Sequence, residues 1–119
     1  MISSTVLVRL LCKMLASPPN VICRQRLSGG LGVAYVRLSA PEARLSLSRF
    51  GVAPSAGEIE VVKRCLRQAA AHTGSPILSL TQAADAQVRG TSGKVSFVAR
   101  FNIVYGVQET WLKENGTTS

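Results

Sequence analysis

Cys65 and His72 are the nearest approach in this 119-residue chain to a nucleophile with its base. A thiol attacks as the thiolate and needs an imidazole within hydrogen-bond reach to take its proton. Seven helical residues separate the two, which is two turns and about 10 Å of rise, so their side chains do not meet. Cys65 therefore reads as a small core residue. His72, the single histidine, stands in the last turn of the helix, where an imidazole in its protonated form would interact favourably with the helix dipole. Glu58 and Glu60 point to different faces of the same helix and form no carboxylate pair for acid and base work. Cys12, Cys23 and Cys65 stand far apart without a CxxC spacing, which predicts neither a zinc centre nor a disulfide framework and fits a reducing compartment. The expectation is a non-enzymatic protein with no catalytic residues, metal or cofactor.

What remains is positive charge. Fourteen Lys and Arg against six Asp and Glu give a formal charge of +8. The excess is lopsided: up to Phe50 seven basic residues face Glu42 alone, whereas beyond it seven face five acids. Such an excess suits non-specific phosphate contacts with RNA. Arg37, Arg44, Arg49, Arg89 and Arg100, all on expected strands, are available to line a phosphate-facing surface. The candidate binding surface is Arg89, Gly90, Thr91, Ser92, Gly93, Lys94 and Arg100, a turn and the strand it feeds. Phe97, Phe101 and Tyr105 have the spacing of a base-stacking platform. They share their side of the strand with Val95, Ala99 and Ile103, however, and so wide an apolar face belongs in a core.

The elements that must position these residues begin with residues 94–105, KVSFVARFNIVY. Alternation puts Val95, Phe97, Ala99, Phe101, Ile103 and Tyr105 on one face and Ser96, Arg100 and Asn102 on the other, which predicts a half-buried strand. Any function in it lies on that polar face or in the turn at Gly90 to Gly93. Residues 55–73 predict a helix. Ser55 and Glu58 make a capping box, Ile59, Val62, Cys65, Leu66, Ala69 and Ala70 form an apolar stripe, and Gly74 with Pro76 stops it. Phe97 and Phe101 are expected to meet Val62, Leu66 and Ala69. Residues 33–38 and 43–50 predict a hairpin, with Leu45 and Leu47 alternating against Ser46 and Ser48. Residues 77–82 predict a further strand, resumed at Gln87-Val88-Arg89 after an interruption at Ala83-Ala84-Asp85. Residues 107–112 predict an edge strand or short helix, and the sequon at Asn115 would matter only in a secreted chain.

Before these elements, Val6, Leu7, Leu10, Leu11, Met14 and Leu15 recur at helical spacing with Arg9 and Lys13 opposite, and no acid precedes Glu42. The charges interrupt any signal-peptide run and no membrane-spanning length is reached. An acid-free, basic, amphipathic start predicts a mitochondrial presequence, with processing after Arg24-Gln25-Arg26 near Leu27. The alternatives are an N-terminal helix packed on the domain and a cytoplasmic location. The expected division is an N-terminal segment over residues 1–27 and one domain over 28–119.

Together these predict an α+β domain: a small antiparallel sheet of four or five strands in the order strand, strand, helix, strand, strand, with one helix packed across it and an amphipathic segment before it. The expected function is a binding or assembly subunit of a larger complex with a protein partner, such as a mitochondrial ribonucleoprotein. Gln87-Val88-Arg89-Gly90 ahead of a long strand resembles the QxVxG hairpin of cystatin-type protease inhibitors, which implies a protease- or ligand-binding module. Arg89-Gly90 and Gly93-Lys94 after a helix are similar to dodecin-type flavin binders, which implies an oligomeric small-ligand binder. No residue's role is carried over from either resemblance.

Overall fold

In the computed structural model, residues 3–39 and 41–106 are described. The expectations for residues 107–112 and for the sequon at Asn115 lie outside them. The elements run α1 (Ser4–Leu15), β1 (Ile22–Arg26), β2 (Gly32–Arg37), β3 (Glu42–Phe50), α2 (Ala56–His72), β4 (Ile77–Gln82), β5 (Ala86–Arg89) and β6 (Val95–Tyr105). The fold is α+β, with one six-stranded antiparallel sheet and two helices. Its order is β1-β2-β3-β6-β4, and β5 also pairs with β6. β5 runs along Val95 to Val98 and β4 along Phe101 to Tyr105, so the two act as one edge strand broken at residues 83–85. The sheet is thus five positions wide. The expectation of four or five strands with one helix across them is only roughly matched: β1 adds a strand, and α1, expected as an amphipathic segment ahead of the domain, packs into its core.

The physical reason is legible in each element. β1 reads Ile-Cys-Arg-Gln-Arg, an edge strand with four of its five residues exposed, so it carries no apolar alternation of its own. Only its ladder with β2, from Ile22 opposite Val36 to Arg26 opposite Gly32, makes it a strand. α1 is amphipathic as expected, and its stripe goes into the core. Leu7 and Leu11 are fully buried and Met14 nearly so. With Val62, Cys65, Leu66 and Ala69 of α2 they join Val33, Tyr35, Leu45, Leu47, Ala99, Phe101 and Ile103 of the sheet in one cluster. Each buried leucine there contributes about 1.5–3 kcal/mol relative to exposure. Phe101 occupies the expected place. Phe97 is half-buried and lies further along, lining a cleft with Ile59 and Pro54 at the start of α2.

α2 begins and ends as its sequence dictates. Ser55 Oγ accepts from Glu58 N–H at 3.1 Å, and Glu58 Oε1 accepts from Ser55 N–H at 2.9 Å. Gly74 adopts φ +78°, letting its own N–H reach the Ala71 carbonyl and the Ser75 N–H reach the Ala70 carbonyl. Removing the cap with Ser55→Ala is expected to cost about 1 kcal/mol in a urea titration.

Glu58 also takes both terminal nitrogens of Arg49 from β3, one at 2.9 Å. Those guanidinium hydrogen bonds, followed by the Ser55 N–H, hold its carboxyl at about 2 against an ordinary 4.5. A carboxylate lowered by folding stabilises the protein fully above its unfolded value, and this contribution is lost as pH falls towards the folded one. Glu58→Gln should therefore flatten the loss of stability between pH 4.5 and about 2, measured as urea midpoints across that window. An unaltered acid profile would assign that loss to another group.

Candidate nucleic-acid interface

Both helices cover the same face of the sheet, and the pleat decides what lies on the other. In β3, Ala43, Leu45, Leu47 and Arg49 turn towards the helices, leaving Arg44, Ser46, Ser48 and Phe50 on the open side. In β6, Ser96, Val98, Arg100 and Asn102 do the same. The register then sets rows across the strands. Arg24, Ala34, Ser46 and Arg100 form one; Ile22, Val36, Arg44 and Asn102 the next; Arg26, Gly32, Ser48 and Val98 lie on the other side of the first. Gly32 suits its place because a Cβ there would stand 3.3 Å from Ser48 Oγ.

These rows form a floor of small residues with arginines around it. One hollow of about 490 Å³ lies beside Arg24, Arg44 and Arg100, and a shallower trough of about 720 Å³ extends past Arg26 to Phe50. Among the described residues no acid lines either. Among the described residues the ion pairs are Arg49 with Glu58 and Lys63 with Glu60, so Arg24, Arg26, Arg44 and Arg100 are unpaired there. Arg44 and Arg100 are diagonal neighbours on adjacent strands, about 7–8 Å apart at Cα. Like charges at that range repel, and a bound anion relieves the repulsion.

The structure sorts the five strand arginines. Arg44 and Arg100 face the open side. Arg37 turns to the helix side and donates to the Ser17 carbonyl at 3.0 Å. Arg49 is held by Glu58, and Arg89, at the end of β5, donates to the Gly93 carbonyl at 3.3 Å. Gly90 to Lys94 form a closed turn, with Gly90 N–H on the Lys94 carbonyl at 2.8 Å and Gly93 N–H on the Gly90 carbonyl at 3.0 Å. Thr91 and Ser92 are exposed at its tip. Arg100 lies six residues of strand beyond Lys94, about 20 Å away. Gly90 and Arg100 both border the long trough, whereas Arg100 has its charged company in Arg24 and Arg44 rather than in the turn.

Arg24, Arg26 and Phe50 are the residues of the candidate interface that the sequence reading did not single out. For Phe50 a signal existed, since it continues the Arg44, Ser46, Ser48 alternation. The two β1 arginines had none, because they sit in the segment read as a presequence.

Elsewhere, His72 is exposed at the end of α2, and Cys65 is buried two turns earlier with its thiol directed at the Ser4 carbonyl. Among the described residues no three His, Cys, Asp or Glu side chains gather as metal ligands. At the far end of the sheet the Tyr35 hydroxyl donates to the Tyr105 hydroxyl at 3.2 Å, and burial pushes the pKa of each phenol up. Among the described residues no helix is long and apolar enough to cross a membrane.

Compared with known proteins, the chain matches no family model, no curated sequence and no solved structure. What the open face does is therefore read from its geometry.

Proposed function

We propose that this protein is a non-enzymatic RNA-binding subunit that seats in a larger ribonucleoprotein through the open face of its sheet. The observation that carries the reading is the gathering of Arg24, Arg26, Arg44 and Arg100 around one face that neither helix covers and whose hollows, among the described residues, no acid lines. Guanidinium forks match phosphate oxygens in two-point contacts, and the hydroxyls of Ser46 and Ser48 between them are further donors. A second copy docked face to face would set arginine against arginine, so charge complementarity favours a polyanion. Contacts of this kind position a nucleic acid without reading its sequence, which suits an assembly subunit.

The mitochondrion is the proposed compartment. The basic α1 and the lack of any acid before Glu42 support it.

The test is binding of the full chain to single-stranded RNA across a salt series. The logarithm of the affinity should fall linearly with the logarithm of salt, with a slope of about −0.7 for each phosphate neutralised. Absence of binding at low salt would refute the reading. A fluorescent reporter fused after Ser119 addresses the compartment, and a diffuse cytosolic signal would refute that part.

A further inference from the structure

Phe50 is 60% exposed although it is one of three phenylalanines in the chain, and it sits on the arginine-bearing face rather than in the core. It pairs across β3 and β6 with Ser96, which in turn faces Val88 of β5, itself 49% exposed. The end of the strand is pinned. Gly51 adopts φ +81° directly after Phe50, and its N–H donates to the Val95 carbonyl at 2.9 Å. The ring is therefore presented from a hydrogen-bonded strand end. It closes the same trough that Arg24, Arg26 and Arg100 border. From Phe50 to Arg44 is six residues of one strand, about 20 Å.

An aromatic ring on a basic sheet face has one use that a phosphate contact does not provide, which is stacking on a base. In a duplex the bases are stacked on one another and their faces are closed to a side chain, whereas a single strand offers every base face. Resting on the proposed function above, we infer that the open face selects single-stranded RNA, with Phe50 stacking on a base at one end while Arg24, Arg26, Arg44 and Arg100 hold the backbone that leads away from it. Val88 and Ser96 form the flat apolar and hydroxyl shelf beside the stacked base.

The experiment compares the full-length protein and its Phe50→Ala and Phe50→Tyr variants on a labelled oligouridylate of about ten nucleotides and on an RNA duplex of the same length. Poly-glutamate serves as an acidic polymer without bases. The wild type should prefer the single strand by roughly tenfold. Phe50→Ala should lose roughly that factor on the single strand, with the salt slope and the duplex affinity unchanged. Phe50→Tyr should retain the binding, and an unaltered melting curve for each variant confirms that the exposed ring is not a folding determinant.

Equal affinity for duplex and single strand with no effect of Phe50→Ala would overturn the stacking inference and leave the phosphate contacts standing. Poly-glutamate binding as tight as the oligonucleotide would overturn it in favour of an acidic protein partner. Absence of any RNA binding at low salt would remove the proposed function and this inference together.

Discussion

Removal of residues 1–27 is expected to abolish cooperative folding of the rest of the chain. The deletion takes away α1 and β1, and with them Leu7, Leu11 and Met14 from the centre of the buried cluster. At about 1.5–3 kcal/mol per side chain the loss is comparable with the whole net stability of a domain this size, about 5–15 kcal/mol. It also uncovers apolar surface on α2 and β2, on which α1 packs, and leaves β2 as a new edge. Circular dichroism melts of a chain beginning at Ser28 should show no sharp transition. A cooperative melt near that of the full chain would instead show that the N-terminal segment is an appendage.

The same measurement bears on processing. The expected cleavage point near Leu27 lies in a turn that the sheet itself closes, where the Leu27 N–H donates to the Leu31 carbonyl at 2.6 Å. The apolar stripe that suits α1 as a targeting helix is the stripe that packs on α2. Cleavage would also remove Arg24 and Arg26 from the open face. As a graded control, Leu11→Ala alone should cost about 2–5 kcal/mol, the range for emptying a buried leucine site.

Replacing Arg44 and Arg100 together by alanine is expected to weaken single-stranded RNA binding by on the order of tenfold to a hundredfold at low salt while leaving the fold at least as stable. The two readouts move apart for one physical reason. In the free protein the two guanidinium groups are diagonal like charges with no acid between them among the described residues, so losing them relieves repulsion. In the proposed complex each would neutralise a phosphate, and losing both should reduce the salt slope by about 1.4. Arg64→Ala with Arg67→Ala removes the same charge from the exposed side of α2 and should change the affinity little. Equal losses from the two double variants would mean that net charge alone governs binding. A drop in stability for the Arg44 and Arg100 variant would assign those residues a structural role.

The core side of β6 was legible from residues 95–105 alone, because a strand has period two and its apolar residues all fall on one parity. α2 was legible for a similar reason, since its stripe, its capping box and its stop at Gly74 are local chemistry in which each residue answers to neighbours three or four places away. The broken edge made by β4 and β5 could be read from the interruption at residues 83–85. β1 could not, because an exposed edge strand acquires its identity from the partner it pairs with.

The open face divides along the same line. Alternation alone put Ser96, Arg100 and Asn102 on the polar side of the last strand and Arg44 opposite Leu45 in its own. Neither strand carries any mark of which strand will lie beside it or in what register. Strand order and pairing are long-range consequences of burying Leu45, Phe101 and the stripes of both helices in one cluster. Only that packing brings Arg24, Arg44 and Arg100, which lie up to 76 residues apart in sequence, around one hollow and turns Arg37 and Arg49 away from it. The sequence determined how much positive charge this protein carries and, for the strands it marks by alternation, which side of the strand each arginine takes; the tertiary structure made β1 a strand and decided which of those charges stand together.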